Sequence, residues 1–292
     1  MNEERHAYLI LAHNNFYVLE KLLLLLDDER NDIYLHIDKK TKDFDFDHFS
    51  AIVKKSALIY PSERIDVKWG ESSIVRAELL LFGEAFAHGG YSYYHLLSGA
   101  DIPLKTQDHI HEFLSGRDEC FIYYGSELNN YLYERLSLYH FWIGKDNVPA
   151  NYTRAILYRL QRLFGVNRCK KIEKQGFKIS KGGQWCSLPP AAVELLLQNR
   201  ELILKMTRRA LCPDEMYKQT VLSFGGMKIN KNDLRCIGFV STNPHPKTYT
   251  EKDYDFLISS DRFFARKFDV ERSRAVVDMI FDHLTRSEAE DK

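Results

Sequence analysis

Continuous apolar runs of strand length alternate with longer amphipathic runs over the first hundred residues. Residues 7–12 and 33–37 are almost wholly apolar, a pattern typical of strands that are covered on both faces. Phe16–Leu26 lies between them with the length and spacing of a helix, and 72–88 repeats this helical pattern before two glycines end it. This alternation predicts an α/β fold with a mostly parallel central sheet flanked by helices.

Shorter patterns predict the remaining elements. Strands are expected at 57–60, 91–97 and 184–188, and helices at 108–114, 152–164, 214–222, 252–259 and 271–284, with one more near Pro189. No repeat, low-complexity stretch or linker divides the chain. We therefore expect a single domain over residues 1–286, followed by a solvated tail at 287–292.

The composition is that of a globular protein with no general affinity for nucleic acid. Of 292 residues, 45% are hydrophobic, and 41 Lys and Arg balance 41 Asp and Glu. The five cysteines are scattered and form no C-x-x-C pair, which favours free thiols in a reducing cytosol and offers no zinc framework. The polar first six residues do not resemble a signal peptide, and the leucine run at 22–26 is too short to cross a bilayer. We expect a cytoplasmic protein, with a contact to the inner face of the membrane left open.

Polar residues follow three of the predicted strands. His13 follows the first strand, Asp38 the second and Asp101 the strand at 91–97. Ligands of open α/β sheets bind beyond the carboxyl ends of the strands, so these side chains are candidates for a binding site. Asp101 is equally well explained as a turn residue before Pro103.

An acidic turn at 212–215 reads Cys-Pro-Asp-Glu at the start of a predicted helix. Proline and acids commonly do no more than initiate a helix in its first turn. The alternative makes Glu215 a general base within reach of an acceptor hydroxyl.

Two adjacent cations, Arg266 and Lys267, lie among aromatic residues. They could be surface charges with apolar stems, or a clamp in which Arg binds a pyrophosphate bidentately and Lys supplies a point charge. Arg235 is a candidate third member, and is also explained as an ordinary charge at a strand edge.

An acidic repeat at 43–47 fits a metal-binding D-x-D pattern twice. Its acids alternate with phenylalanines after a lysine-rich loop, as on an amphipathic edge, so we favour no metal role for it. The chain contains no phosphate-binding loop, dinucleotide fingerprint or zinc-protease motif.

In combination these patterns resemble the core-2/I-branching β-1,6-N-acetylglucosaminyltransferase family, glycosyltransferase family 14, which also contains the peptide O-xylosyltransferases. Seven motifs occur in order over nearly the whole chain. They are AYLILAH at 7–13, HIDKK at 36–40, VKWG at 67–70 with Ser73, LSGADIPLKT at 97–106, KGGQW at 181–185, PDE at 213–215 and FARKFD at 264–269. Each is weak alone, but seven in order are specific, and the chain resembles a bacterial member.

The resemblance implies a GT-A-like fold and an inverting transfer that needs no divalent metal. The Glu of the family's P-D-E motif acts as the base, which here is Glu215. Basic residues replace the metal at the diphosphate, matching Lys267 and, more loosely because the segment up to Lys267 is longer here, Arg235. Whether Arg235 or Arg266 is the second diphosphate cation stays open. The other site residues implied are Ala12, His13 and Asp38 for the nucleotide, and Asp101, Trp69, Gly70, Trp185 and Arg135 for donor and acceptor.

The function implied is transfer of a sugar, GlcNAc or xylose, from a UDP-sugar to a hydroxyl of a glycan or lipid-linked glycan in bacterial surface polysaccharide synthesis. The UDP-sugar is a substrate, and no cofactor or metal is expected. UDP-glucose and UDP-galactose stay open as donors, and so does a non-catalytic protein that binds nucleotide sugars or glycans. The presence of Glu215, Arg266 and Lys267 together favours an enzyme.

Overall fold

A seven-stranded sheet forms the centre of the part of the chain that the computed structural model describes, residues 4–125, 128–144, 147–239 and 246–290. All its strands run in one direction except β7, which is antiparallel to both neighbours. In spatial order the strands are β3 (Ala57–Ile59), β2 (Asn31–Ile37), β1 (Arg5–Ala12), β4 (Tyr91–Ser98), β7 (Gly182–Leu188), β6 (Cys120–Tyr124) and β8 (Ile229–Asn230).

Helices cover both faces of this sheet, which confirms the predicted α/β class. The first face packs against α1 (Phe16–Leu26), α2 (Phe46–Ile52), α4 (Gln107–Leu114), α11 (Tyr254–Ile258) and α12 (Val270–Glu290). The second face packs against α3 (Ser73–His88), α5 (Asn130–Ser137), α7 (Lys170–Glu173), α8 (Pro190–Gln198), α9 (Arg200–Thr207) and α10 (Tyr217–Phe224). A further helix, α6 (Val148–Leu163), lies at the surface.

The central strands are apolar throughout because both of their faces are buried. In β1, Tyr8 and Ile10 enter the first core, whereas Ala7 and Leu9 enter the second. Successive side chains of a strand point to opposite faces, so a two-sided core removes the polar alternation. Full burial of a side chain such as Leu9 contributes about 2 kcal/mol.

A small three-stranded sheet lies beside the large one, and the sequence patterns did not predict it. Its order is β5 (Asp101–Pro103), β10 (Phe264–Arg266) and β9 (Arg235–Ile237). The register pairs Arg266 with Asp101 across β10 and β5. Strands of three residues carry almost no periodic signal of their own.

Several predicted boundaries differ from the structure; the helix expected at 252–259, for example, is a 3₁₀ turn, Glu251–Asp253, followed by α11. The helix expected at 214–222 is divided into a 3₁₀ turn, Pro213–Glu215, and α10, because Cys212 has a left-handed backbone (φ 44°) and Met216 leaves the helical region (φ −131°). The expected tail at 287–292 is helical as far as Glu290, since Ser-Glu-Ala-Glu continues α12 without a breaker; the last two residues lie outside the described ranges.

Three histidines, His6 on β1, His95 on β4 and His111 on α4, are buried together against the centre of the large sheet. The rings of His6 and His111 stack with centroids 3.8 Å apart, and His6 Nδ1 lies 3.2 Å from His95 Nε2. Burial lowers the pKa of all three imidazoles, that of His111 to about 4. They are therefore neutral in the folded protein near pH 7.

This cluster predicts that stability falls on mild acidification. Below the ordinary His pKa of 6.5 the imidazoles are protonated in the unfolded chain but stay neutral in the folded one. The free energy of unfolding therefore decreases as pH falls from 6.5 towards 4. At pH 5 each such imidazole should cost up to about 2 kcal/mol of the free energy of unfolding. Urea unfolding at pH 7 and pH 5 measures the loss. His111→Asn should reduce it and the exposed His48→Asn should not; an unfolding free energy unchanged between the two pH values contradicts the prediction.

Candidate functional site

The carboxyl ends of β1 and β2 meet at one edge of the large sheet. The backbone N–H of Asp38 donates to the carbonyl oxygen of Ala12 at 2.9 Å. The Asp38 carboxylate is buried and accepts from the backbone N–H of Lys40 at 2.9 Å, while His13 is exposed. The three predicted nucleotide-binding residues thus lie together at this edge.

His13 lies within electrostatic range of both cations of the C-terminal motif. Its pKa is lowered, mainly because the imidazole is partly removed from water. Asp38 opposes this shift, whereas the positive charges of Lys40, Lys267 and Arg266 add to it. Backbone hydrogen bonds connect the motif to this edge: the N–H of Phe268 donates to the carbonyl oxygen of Ala100 at 3.0 Å, and the N–H of Gly99 donates to the carbonyl oxygen of Leu11 at 2.9 Å.

Arg266 is held between an acid and an aromatic ring. Its Nη1 donates to Asp101 Oδ1 at 2.9 Å, and its guanidinium carbon lies 4.6 Å from the ring centre of Trp185. Asp101 is fully buried and also accepts from the backbone N–H of Ser98 at 2.9 Å. The position of Asp101 does not fit the predicted direct contact with donor or acceptor, since its carboxylate is committed to orienting Arg266. Burial raises the Asp101 pKa and the Arg266 charge opposes that shift.

Lys267 follows directly, with its backbone fixed and its side chain partly exposed. Its N–H donates to the carbonyl oxygen of Lys247 at 3.3 Å, and its carbonyl oxygen accepts from the N–H of Tyr249 at 3.0 Å. Within the described ranges, the Lys267 ammonium forms no salt bridge. It is thus a cation available to an anionic ligand.

Arg235 lies in the interior, and the expected diphosphate contact does not fit this position. Its Nη2 donates to the carbonyl oxygen of Cys186 at 2.7 Å, and its Nη1 donates to Ser187 Oγ at 2.8 Å. Its guanidinium also packs 4.9 Å from the ring centre of Phe264. Arg235 therefore ties the small sheet to the large one, and burial lowers its pKa.

Glu215 lies at the end of the 3₁₀ turn with 37% of its side chain exposed. Arg135 Nη2 contacts Glu215 Oε2 at 3.0 Å, and Lys181 Nζ lies 3.5 Å from the same atom. Arg135 also donates to the carbonyl oxygens of Leu211 at 3.0 Å and Cys212 at 2.8 Å. One buried guanidinium thus fixes both the turn and the carboxylate that the turn carries. Lys181 belongs to the KGGQW motif at 181–185 but was not among the predicted site residues.

Trp69 and Gly70 border the turn that carries Glu215. The backbone N–H of Cys212 donates to the carbonyl oxygen of Gly70 at 2.8 Å. Gly70 has φ +72° and a Cβ there would lie 3.3 Å from Ile143, so a side chain is disfavoured by both conformation and space. Trp69 is 72% exposed, which leaves its indole free to stack on a ligand.

A buried polar cluster lies beneath this turn, and sequence reasoning missed it. Glu78 is fully buried, and its carboxylate accepts from Lys218 Nζ at 2.6 Å, Tyr217 OH at 2.6 Å and Gln184 Nε2 at 2.8 Å. A signal existed: Glu78 follows Val75 by three residues and precedes Phe82 by four, on the apolar face of α3. An acid at such a position requires a buried partner.

Asp214 also faces this interior. Burial, followed by the charges of Glu78 and Glu215, raises its pKa to about 7. Part of the Asp214 population is therefore neutral near pH 7, which reduces repulsion beneath Glu215.

Strand β7 connects the two halves of the site. Lys181 precedes it and contacts Glu215, while Trp185 on the strand contacts Arg266. Four residues of strand span about 13 Å. Glu215 therefore lies beside one end of this segment and Arg266, with its neighbour Lys267, beside the other.

The surface next to Asp38 is concave, and its lining mixes cations with acids. Two open concavities of about 500 and 390 Å³ share Lys39, Glu63 and Arg64 in their linings. Arg64 donates to the carbonyl oxygen of Asp38 at 2.6 Å and so supports this strand end.

The acidic repeat has a structural explanation. Asp45 caps α2 by accepting from the N–H of His48 at 2.9 Å, while the ring of Phe44 packs against Phe16 and Phe49. Among the described residues, no three His, Cys, Asp or Glu side chains are grouped as metal ligands.

Comparison with known proteins gives a consistent family match. The model of the family described as "Core-2/I-Branching enzyme" matches residues 6–259, ending before β10. Human xylosyltransferase 2 is 23% identical over 328 residues, which cover 96% of this chain and 34% of that protein. Mouse xylosyltransferase 2 is 22% identical with the same coverage. The chain thus spans about a third of the length of these relatives.

Among solved structures, the apo structure of the bifunctional glycosyltransferase WbbM resembles the chain with a TM-score of 0.37 and 10% identity. The match covers 75% of this chain and 38% of that one.

Proposed function

The chain belongs to the Core-2/I-Branching enzyme family, and from this premise we propose that it is an inverting glycosyltransferase that moves a sugar from a UDP-sugar to a glycan hydroxyl without a divalent metal. The observation that carries the proposal is that one segment, 181–185, contacts the partly exposed carboxylate of Glu215 through Lys181 and the guanidinium of Arg266, the neighbour of Lys267, through Trp185. A base on one side and diphosphate counter-charges on the other are what a single displacement needs.

The reaction forms one glycosidic bond and breaks the bond between the anomeric carbon and the β-phosphate oxygen of the donor. Glu215 removes the proton of the acceptor hydroxyl as its oxygen attacks the anomeric carbon, and the bond to the β-phosphate oxygen breaks with its electron pair. Arg266 and Lys267 stabilise the charge that develops on the departing UDP, a task that a metal ion performs in other enzymes. A second carboxylate is unnecessary because no glycosyl-enzyme forms.

The surrounding residues hold the reacting groups in place. Arg135 and Lys181 both contact Oε2 of Glu215, which leaves Oε1 for the acceptor proton. Ala12, His13 and Asp38 border the nucleotide, and Trp69 and Trp185 offer faces for sugar rings.

The donor we favour carries xylose or GlcNAc, and similarity to xylosyltransferase 2 supports the first. We place the reaction in the bacterial cytoplasm, on a glycan or lipid-linked glycan of the cell surface. The five free cysteines found in the described ranges, four of them buried, suit a reducing compartment.

A donor screen tests this proposal. Thermal unfolding is measured with UDP-xylose, UDP-GlcNAc, UDP-glucose and UDP-galactose, each with and without EDTA. We expect a UDP-sugar to raise the unfolding temperature equally in both conditions, and product to form with EDTA present.

Lys267→Ala should weaken donor binding by about tenfold or more, because a charge-assisted contact is lost. The exposed Lys252→Ala is the matched control. Loss of activity in EDTA contradicts metal independence, and binding without transfer to any glycan favours a non-catalytic binder.

A further inference from the structure

Helix α6 presents an apolar face to solvent. Val148, Leu163 and Phe164, at its two ends, are 80%, 78% and 77% exposed. Spaced at helical intervals between them, Tyr152, Ile156 and Leu160 continue the same stripe and are also exposed. Large side chains arranged on one side of a surface helix indicate a binding surface.

The opposite side of α6 is fixed to the protein, so the orientation of the stripe is defined. Gln161 Nε2 donates to the carbonyl oxygen of Tyr139 at 2.9 Å, and Arg162 forms a 2.6 Å ion pair with Glu134. Tyr158 OH lies 2.9 Å from His140 Nδ1. These polar contacts hold α6 against α5 and the segment that follows it.

The segment that carries the stripe is strongly basic. Residues 148–178 hold eight cations and a single acid, Glu173. The cations are Arg154, Arg159, Arg162, Arg168, Lys170, Lys171, Lys174 and Lys178. Arg159 lies within the exposed face, where its long stem can pack among apolar groups while the guanidinium reaches a phosphate.

We propose that α6 binds the surface of an anionic membrane, lying parallel to it with the stripe and Arg159 in the headgroup region, while the net positive charge of 148–178 attracts the anionic surface. An apolar face on a strongly basic segment is the pattern of interfacial helices, which anionic lipids attract electrostatically. No helix in the described ranges is long and apolar enough to cross a bilayer. A second copy of the chain is not expected to bind the stripe. Symmetric contact would bring together two segments that carry the same large positive charge.

Vesicle co-sedimentation of the full chain tests the proposal. We expect binding to phosphatidylcholine vesicles containing roughly a quarter phosphatidylglycerol, little binding to phosphatidylcholine alone, and weakening at high salt. The double variant Ile156→Glu/Leu160→Glu should lower the affinity by about tenfold or more, since two apolar side chains can no longer be buried.

Phe256→Glu, an exposed apolar residue of α11, is the matched control and should bind vesicles like the wild type. Urea unfolding and the donor-induced thermal shift should be the same in all variants, which separates this inference from the proposed function. Equal vesicle binding by the double variant and the wild type overturns it. The inference is also overturned if the wild type is a dimer that does not bind vesicles and the double variant is a monomer.

Discussion

Glu215→Gln is expected to lower kcat by about three orders of magnitude while UDP binding changes by less than about threefold. The amide has the shape of the carboxylate, and its oxygen can still accept from Arg135, 3.0 Å from Oε2 in the native protein. What it lacks is a site that can take the proton of the acceptor hydroxyl. Transfer is measured at saturating donor, and UDP affinity by calorimetry.

A matched variant gives this result its meaning. Glu201→Gln makes the same change on the exposed side of α9 and should leave both quantities unaltered. Transfer by Glu215→Gln within about tenfold of the wild type would show that another group is the base. If Glu215→Gln loses UDP binding as well as transfer, the substitution has disrupted the turn that carries residue 215.

Lys218→Met is expected to produce the largest loss of stability, about 3–5 kcal/mol in the free energy of unfolding. The substitution removes the ammonium 2.6 Å from Glu78 and leaves that carboxylate buried without a counter-charge. Tyr217 and Gln184 still donate to it, but neutral donors compensate a charge only in part. Urea unfolding measures the change, with the exposed Lys205→Met as control.

The double variant Glu78→Gln/Lys218→Met separates charge from shape. Because it removes both charges, its loss in free energy of unfolding should be smaller than the summed losses of the two single variants. Additive costs would mean that the two side chains stabilise the fold by packing alone. In either case loss of transfer is expected to accompany unfolding of the turn above Glu78.

Local patterns were sufficient for the large sheet and its long helices. Phe16–Leu26 is a helix over the predicted range, because the periodicity that marks it involves only neighbouring residues. The small sheet could not be predicted in this way. Its pairing of Asp101 with Arg266 joins segments far apart in the sequence, and each strand has three residues.

Local motifs likewise identified some residues of the candidate site, whereas burial and long-range contacts could not be predicted from them. Seven ordered motifs led to the family, and the match over residues 6–259 confirms it. Motifs give residue types and not burial, so Arg235 was assigned to the diphosphate although it lies in the interior. Glu78 was missed because its partners lie on α10 and β7. The roles of Glu215 and Lys267 stay predictions.

The position of β10 has a consequence for how the protein acquires activity during synthesis. This strand inserts between β5 and β9, and only then does Arg266 acquire Asp101 and Trp185 as neighbours. A ribosome-bound chain would expose Glu215 about fifty residues before it exposes Arg266. Nascent or truncated polypeptides ending in that interval would contain Glu215 without Arg266 and Lys267, so under the proposed function they would lack the diphosphate counter-charges and could not consume nucleotide sugar.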